Sequence, residues 1–177
     1  TQAMTMTPDE PPPLALGPQA TLTTRDVERI ARRRHPVALS QAGREAMARS
    51  HQLLDELIAQ GARVYGVTTG YGPLATSHVV PEQAALLQRN LVYHLASGVG
   101  PPLGPAQARA VALARASSLS RGASALRPEV LERILTALNR GFAPIIPALG
   151  SVGASGDLTP LAHLALALMG QGACWHG

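Results

Sequence analysis

Aromatic side chains are scarce in this chain, with one Phe, one Trp and three Tyr among 177 residues. Its core must therefore be built from Ala, Leu, Val and Ile, which favours close-packed helices over a sheet sandwich. Hydrophobic residues make up 46% of the chain, enough for such a core in one ordinary domain. There is a single cysteine, Cys174, so no intrachain disulfide can form and a reducing, cytoplasmic setting is expected. Lysine is missing altogether, since all fifteen basic residues are arginine. They are scattered apart from Arg32-Arg33-Arg34, so the net charge of +4 does not read as a nucleic-acid surface. No apolar run is long enough to span a bilayer, and the N-terminus carries no signal-peptide pattern. His35, His51, His78 and His176 form no metal-ligand spacing, so no metal is expected. Neither a phosphate-binding glycine loop nor a nucleophile elbow is found.

Proline and glycine are plentiful and divide the chain. Residues 1–20 are rich in Pro and Thr, lack periodicity and read as a disordered tail. Thr24 or Asp26 can cap a short helix through Arg34, ended by His35-Pro36. Ser40 can cap a longer helix to about Gln60, with the apolar stripe Ala46, Leu53, Leu54, Leu57 and Ile58 and with Gly61 as its stop. Val64 to Ala75 combines β-branched residues with three glycines and a proline, which predicts a short strand followed by a structured loop over about residues 62–76. Pro81, Pro105, Pro128 and Pro160 each mark a first helical turn. They predict a helix from Pro81 that Gly98 to Pro102 breaks, with Leu86, Leu87, Leu91, Val92 and Leu95 on one side. Further helices are expected from Pro105 to Arg121, from Pro128 to Arg140 and from about Thr159 to Met169, with Phe142 to Gly153 as a loop. The chain is therefore expected to be mainly α.

Three strings carry chemistry. The first is Gly150-Ser151-Val152-Gly153-Ala154-Ser155-Gly156-Asp157-Leu158-Thr159-Pro160. Within it the amide nitrogen of Gly156 can attack the carbonyl carbon of Ala154, a geometry that glycine tolerates. Ser155 can then lose its hydroxyl as water and leave an exocyclic methylene. The segment lies just before an expected helix N-terminus, whose partial positive charge would favour electron acceptance. Asp157 is expected to cap that helix, and His163 to be packed structure. The second string is Val64-Tyr65-Gly66-Val67-Thr68-Thr69-Gly70-Tyr71-Gly72-Pro73-Leu74-Ala75, and the third is Gln88-Arg89-Asn90-Leu91-Val92-Tyr93-His94-Leu95-Ala96-Ser97-Gly98-Val99-Gly100. In this order the three resemble the signatures of the aromatic amino-acid ammonia-lyases (histidine, phenylalanine and tyrosine) and their related aminomutases, over roughly Thr21 to the end.

The resemblance implies the N-terminal part of an ammonia-lyase (aspartase-like) helical fold. Residues 21–104 would carry active-site loops, and residues 105–177 would begin a central helical bundle. It implies a 4-methylidene-imidazole-5-one cofactor formed from Ala154, Ser155 and Gly156, with no dissociable group. Tyr65 matches the family's catalytic base, and Gly72 a glycine lining the pocket. His94 and Leu95 match the positions that select the substrate ring, and Leu158 would form part of the pocket wall. A His-Leu pair is most like the tyrosine-accepting members, because a buried hydroxyl needs a hydrogen-bond partner. The expected reaction is elimination of ammonia from L-tyrosine to give 4-coumarate. A 2,3-aminomutase, a histidine or phenylalanine lyase, and a non-catalytic binding or regulatory relative are the alternatives. Family members are some three times longer, and their carboxylate-binding arginine and second essential tyrosine fall beyond this sequence. A split enzyme, in which a second polypeptide supplies the rest within a hetero- or homo-oligomer, is the favoured expectation, with a cleaved or truncated product and a non-catalytic remnant as the alternatives.

Overall fold

The structure is a computed structural model that describes residues 11–153 and 157–175. Ala154, Ser155 and Gly156 lie outside the described residues, as does the first half of the expected tail. The second half of that tail is ordered. Strand β1 (Leu14–Leu16) runs parallel to β2 (Val37–Leu39), pairing Leu14 with Val37 and Leu16 with Leu39. Leu16 and Val37 are buried in the main core. A Pro-rich composition argues against a helix there, but three residues can still pair with a distant segment when a leucine among them is buried.

Helix α1 (Thr24–Arg33) is capped by Thr23, one residue before Thr24 and three before Asp26, the two caps expected for it. Thr23 Oγ1 accepts the Asp26 N–H at 3.2 Å, and Asp26 Oδ2 accepts the Thr23 N–H at 3.1 Å, a reciprocal box that satisfies two free donors. Arg34 closes the helix in the left-handed conformation, with φ 55°. Helix α2 (Gln41–Ala59) is capped as expected, with Ser40 Oγ accepting the Gly43 N–H at 3.0 Å. Its expected apolar stripe is not the buried one. Gly43 and Met47 face the core, Leu54, Leu57 and Ile58 are half-buried, and Leu53 is 57% exposed. Only the first half of α2 meets the core, so helical periodicity in its second half has nothing to pack against.

The core lies where α1 packs on α4 (Pro105–Leu119), α4 on α5 (Pro128–Asn139), and α5 on β2. Ala108, Ala112 and Ala116 recur every fourth residue along α4 and are fully buried. Such small side chains let helix axes approach closely. Leu113, Leu131, Leu138 and Ile30 fill the space between. Arg109 sits among them, buried, a residue the apolar pattern of α4 did not single out. Its guanidinium donates to the carbonyls of Ile30 and Leu138 at 2.8 Å, Ala31 at 3.0 Å and Phe142 at 3.3 Å. These are carbonyls at and just beyond the C-terminal ends of α1 and α5, which lack intrahelical partners. Burial, and Arg34 nearby, lower its proton affinity, although arginine keeps its charge in proteins.

Helices α3 (Pro81–Leu95) and α6 (Leu158–Leu168) pack on each other, and no described side chain of α3 is fully buried. Leu86, expected on the inner side, is exposed. Two short strands follow α3 and precede the tripeptide loop. β3 (Val99–Pro102) pairs antiparallel with β4 (Pro147–Leu149), where a helix break and a loop were expected. The strand expected within residues 62–76 is absent. That stretch holds an isolated bridge from Thr69 to His78 and a single 3-10 turn over Gly72–Leu74. The threonines explain this. Thr68 Oγ1 accepts the Val64 N–H at 2.8 Å and donates to the Ala62 carbonyl at 3.0 Å, and Thr69 Oγ1 accepts the Gly66 N–H at 3.2 Å. Side chains thus take backbone groups that a strand partner would need. Among the described residues no helix is long and apolar enough to cross a membrane.

Candidate functional site

The tyrosine loop folds back on itself. Gly66 and Gly72 both have positive φ, 72° and 52°, which turns the chain tightly enough to bring Tyr65 beside Gly72. The Gly72 N–H donates to the Tyr65 phenol oxygen at 3.1 Å. Tyr71 stands edge-on to Tyr65, with ring centroids 6.1 Å apart. Burial pushes the Tyr71 phenol pKa up, only partly offset by Gln88. A Cβ on Gly66 would lie 2.6 Å from the Tyr71 ring, so the loop closes only over glycine at that position.

Helix α3 ties this loop to the rest of the site. Gln88 Nε2 donates to the Gly66 carbonyl at 2.6 Å. Gln88 lies inside the third sequence string but was given no role there, because an amide on an exposed helix carries no signal until the loop is seen beside it. Two turns later stand His94, which is exposed, and Leu95, which is half-buried. Tyr93 donates its hydroxyl to Gln171 Oε1 at 2.6 Å, just past the end of α6. Past the end of α3, the Gly98 N–H donates to His163 Nε2 of α6 at 3.2 Å.

Helix α6 begins at Leu158, two residues after Gly156, so a helix N-terminus follows the tripeptide in sequence as expected. Asp157 holds the N-cap position but does not cap with its side chain, contrary to expectation. Its φ of 58° is left-handed, and its carboxylate accepts the Ser151 hydroxyl instead of a helix N–H. The carboxylate therefore bridges the two sides of the loop. A cavity of about 430 Å³ adjoins Asp157, lined also by Leu103, Val111, Pro147, Pro160 and Leu161.

Tyr65 and Gly72 are thus brought into contact. No hydrogen bond among the described residues links that pair to His94, Leu95 or Leu158. Tyr65 is 64% exposed and Leu158 45%. Both are open to solvent, so this chain alone does not exclude water from them. Among the described residues no group of three or more His, Cys, Asp or Glu could hold a metal ion.

A family profile described as aromatic amino acid lyase matches residues 22–177. The histidine ammonia-lyase of Sorangium cellulosum (strain So ce56) is 48% identical over 154 residues, covering 85% of this chain and 30% of that protein. The histidine ammonia-lyase of Anaeromyxobacter dehalogenans (strain 2CP-C) is 47% identical over 152 residues, 86% of this chain and 30% of that one. Among solved structures, tyrosine aminomutase from Streptomyces globisporus superposes with a TM-score of 0.86 at 37% identity, covering 93% of this chain and 30% of that one. Histidine ammonia-lyase from Trypanosoma cruzi does so with a TM-score of 0.80 at 30% identity, over 90% and 30% of the two chains. This chain spans about 30% of the length of these relatives. These two curated relatives are named histidine rather than tyrosine lyases, whereas the Streptomyces globisporus structure is named a tyrosine aminomutase. With its helical fold shared across these enzymes and the profile covering most of its length, the chain belongs to the aromatic amino acid lyase family.

Proposed function

We propose that this chain is the N-terminal portion of an aromatic amino-acid ammonia-lyase, in which Tyr65 serves as the base and Ala154, Ser155 and Gly156 form the electrophile. The observation that carries the reading is the way α3 joins the other two motif segments. Gln88 holds the tyrosine loop through Gly66, and Gly98 holds α6, which follows the tripeptide. Residues far apart in sequence are thereby gathered about one helix. Residues 21–104 bring the loop and α3, and residues 105–177 bring the tripeptide and its supporting helices.

The flanking backbone suits a methylidene-imidazolone. Gly153 and Asp157, on either side, both take left-handed φ values of 69° and 58°, the sharp reversal a self-cyclising loop needs. Formed there, the group would supply an electron sink that makes the substrate amine a better leaving group. Tyr65 would take the substrate β-proton at its phenol oxygen. The Gly72 N–H donates to that same oxygen, so a backbone group fixes where the phenol oxygen sits. Gly72 would line the pocket with backbone, while Leu95 and Leu158 wall the ring and His94 meets its polar end.

L-tyrosine, giving 4-coumarate and ammonia, is the substrate that His94-Leu95 favours. Histidine is the second reading, favoured by the 48% identity to a histidine ammonia-lyase. A 2,3-aminomutase, which returns the ammonia to the β-carbon, is favoured by the tyrosine aminomutase structure. The site is completed by further polypeptide, most simply a second chain in an oligomer, working in the cytoplasm as the single cysteine suggests. Tyr65 and Leu158, both exposed, are side chains such a partner would cover.

The deciding experiment uses the assembled enzyme. The chain should be lighter than its sequence by two waters under denaturing conditions, and ammonia should be released from L-tyrosine, L-histidine or L-phenylalanine. Ser155→Ala should abolish both. An unmodified chain with no ammonia release would make it a non-catalytic relative.

A further inference from the structure

Past the C-terminal end of α3, two glycines, a proline, a threonine and a histidine meet in a tight node. The Gly98 N–H donates to His163 Nε2, 65 residues away, at 3.2 Å. A Cβ on Gly98 would lie 2.9 Å from that nitrogen, 3.1 Å from Pro147 Cβ and 3.2 Å from Thr159 Cγ2. A Cβ on Gly150 would lie 2.9 Å from Thr159 Cγ2 and 3.1 Å from Gly98 Cα. One residue on, Val99 pairs with Leu149. The node therefore joins the helix that bears His94-Leu95, the strand that leads into the tripeptide, and the helix that leaves it.

Nε2 of His163 is an acceptor here, so the ring is neutral with its proton on Nδ1. Burial lowers the pKa of His163, which keeps the ring neutral, and no charged neighbour contributes. Beside His163, the residues that crowd Gly98 are Pro147 of β4 and Thr159 of α6, neither of them titratable.

We propose that His163 is a positioning residue of the reaction, whose Nε2 holds the Gly98 amide and so sets the ring-selecting pair His94-Leu95 at a fixed distance from the tripeptide loop. The proposal rests on the lyase reading and deepens it. His163 touches neither substrate nor electrophile. Its loss disturbs how the substrate ring is seated, not the formation of the cyclised group.

The test compares His163→Phe, which keeps a ring but removes the acceptor, with His163→Gln, whose amide oxygen can accept the same N–H. Both are made in the assembled enzyme. The Phe variant should still be two waters lighter than its sequence and keep its kcat, while KM for the preferred amino acid rises about fivefold, the worth of one net hydrogen bond. Hydrogen exchange at Gly98 and Val99 should quicken in the Phe variant. The Gln variant should recover both KM and protection. A wild-type KM and wild-type exchange in the Phe variant overturn the proposal. So does a parallel loss of melting temperature and kcat in both variants, which would mark a purely structural histidine. A wild-type chain that is unmodified and releases no ammonia overturns the lyase reading itself, and the positioning role with it.

Discussion

The Gly72 N–H and the Tyr65 phenol oxygen, seven residues apart in sequence, lie 3.1 Å apart with the amide donating. A backbone donor cannot be lost to side-chain motion, so it holds the phenol oxygen in one place wherever the loop is folded.

Tyr65→Phe removes the proton acceptor and leaves the ring. Turnover should fall by about 10²- to 10⁴-fold, the range typical of a lost general base. The melting temperature should barely move, because Tyr65 is 64% exposed and Gly72 N–H would turn to water. Steady-state ammonia release and a thermal melt on the assembled enzyme check both halves. A variant that keeps its turnover would move the base elsewhere.

His94→Phe should shift preference toward phenylalanine. Removing a hydrogen-bonding group from a ring pocket should change the Phe-to-Tyr ratio of kcat/KM by about tenfold or more. Competition assays with both amino acids measure it directly. An unchanged ratio would place ring selection outside α3.

Arg109→Met should be the most damaging substitution in the core. It leaves the carbonyls of Ile30, Ala31, Leu138 and Phe142 without their donor. The expected loss is about 3 kcal/mol or more of unfolding free energy, since bonds to a charged donor are strong and their carbonyl partners stay buried. Arg109→Lys should recover little, because an ammonium lacks the planar fork that reaches all four carbonyls. Denaturant midpoints would show both.

Stability should fall in two steps as pH drops. His163 is held below its ordinary pKa by burial, so the unfolded chain binds this proton more readily than the folded one. Stability is therefore flat above the unfolded value of about 6.5 and declines from there toward the lower folded value. Asp26 is held below its ordinary pKa by its bonds with Thr23. Its contribution is complete above the unfolded carboxylate value and disappears as pH falls through the folded one. Melting temperatures taken across neutral and acidic pH should show the upper step vanish in His163→Gln and the lower in Asp26→Asn.

Much of this was legible in the sequence because it is local. Prolines at first turns and Ser40 as a cap mark helix starts, and α3, α4 and α5 begin at Pro81, Pro105 and Pro128. Helix nucleation depends on a few neighbouring residues, so it can be read from them. The three motif strings are equally local, since each names residues whose chemistry depends on type and order. The fold family followed from them.

What only the tertiary structure decided is long-range. β1 and β2, and then β3 and β4, pair across intervening helices, and no periodicity in three or four residues announces a partner so distant. Leu53 repeats at helical spacing yet faces water, because burial depends on what arrives opposite it. In the sequence Arg109 is one of fifteen scattered arginines and His163 reads only as packed structure. They become an anchor for two helix ends and a clamp on Gly98 only because folding brings backbone donors and acceptors from remote segments within about 3 Å of them.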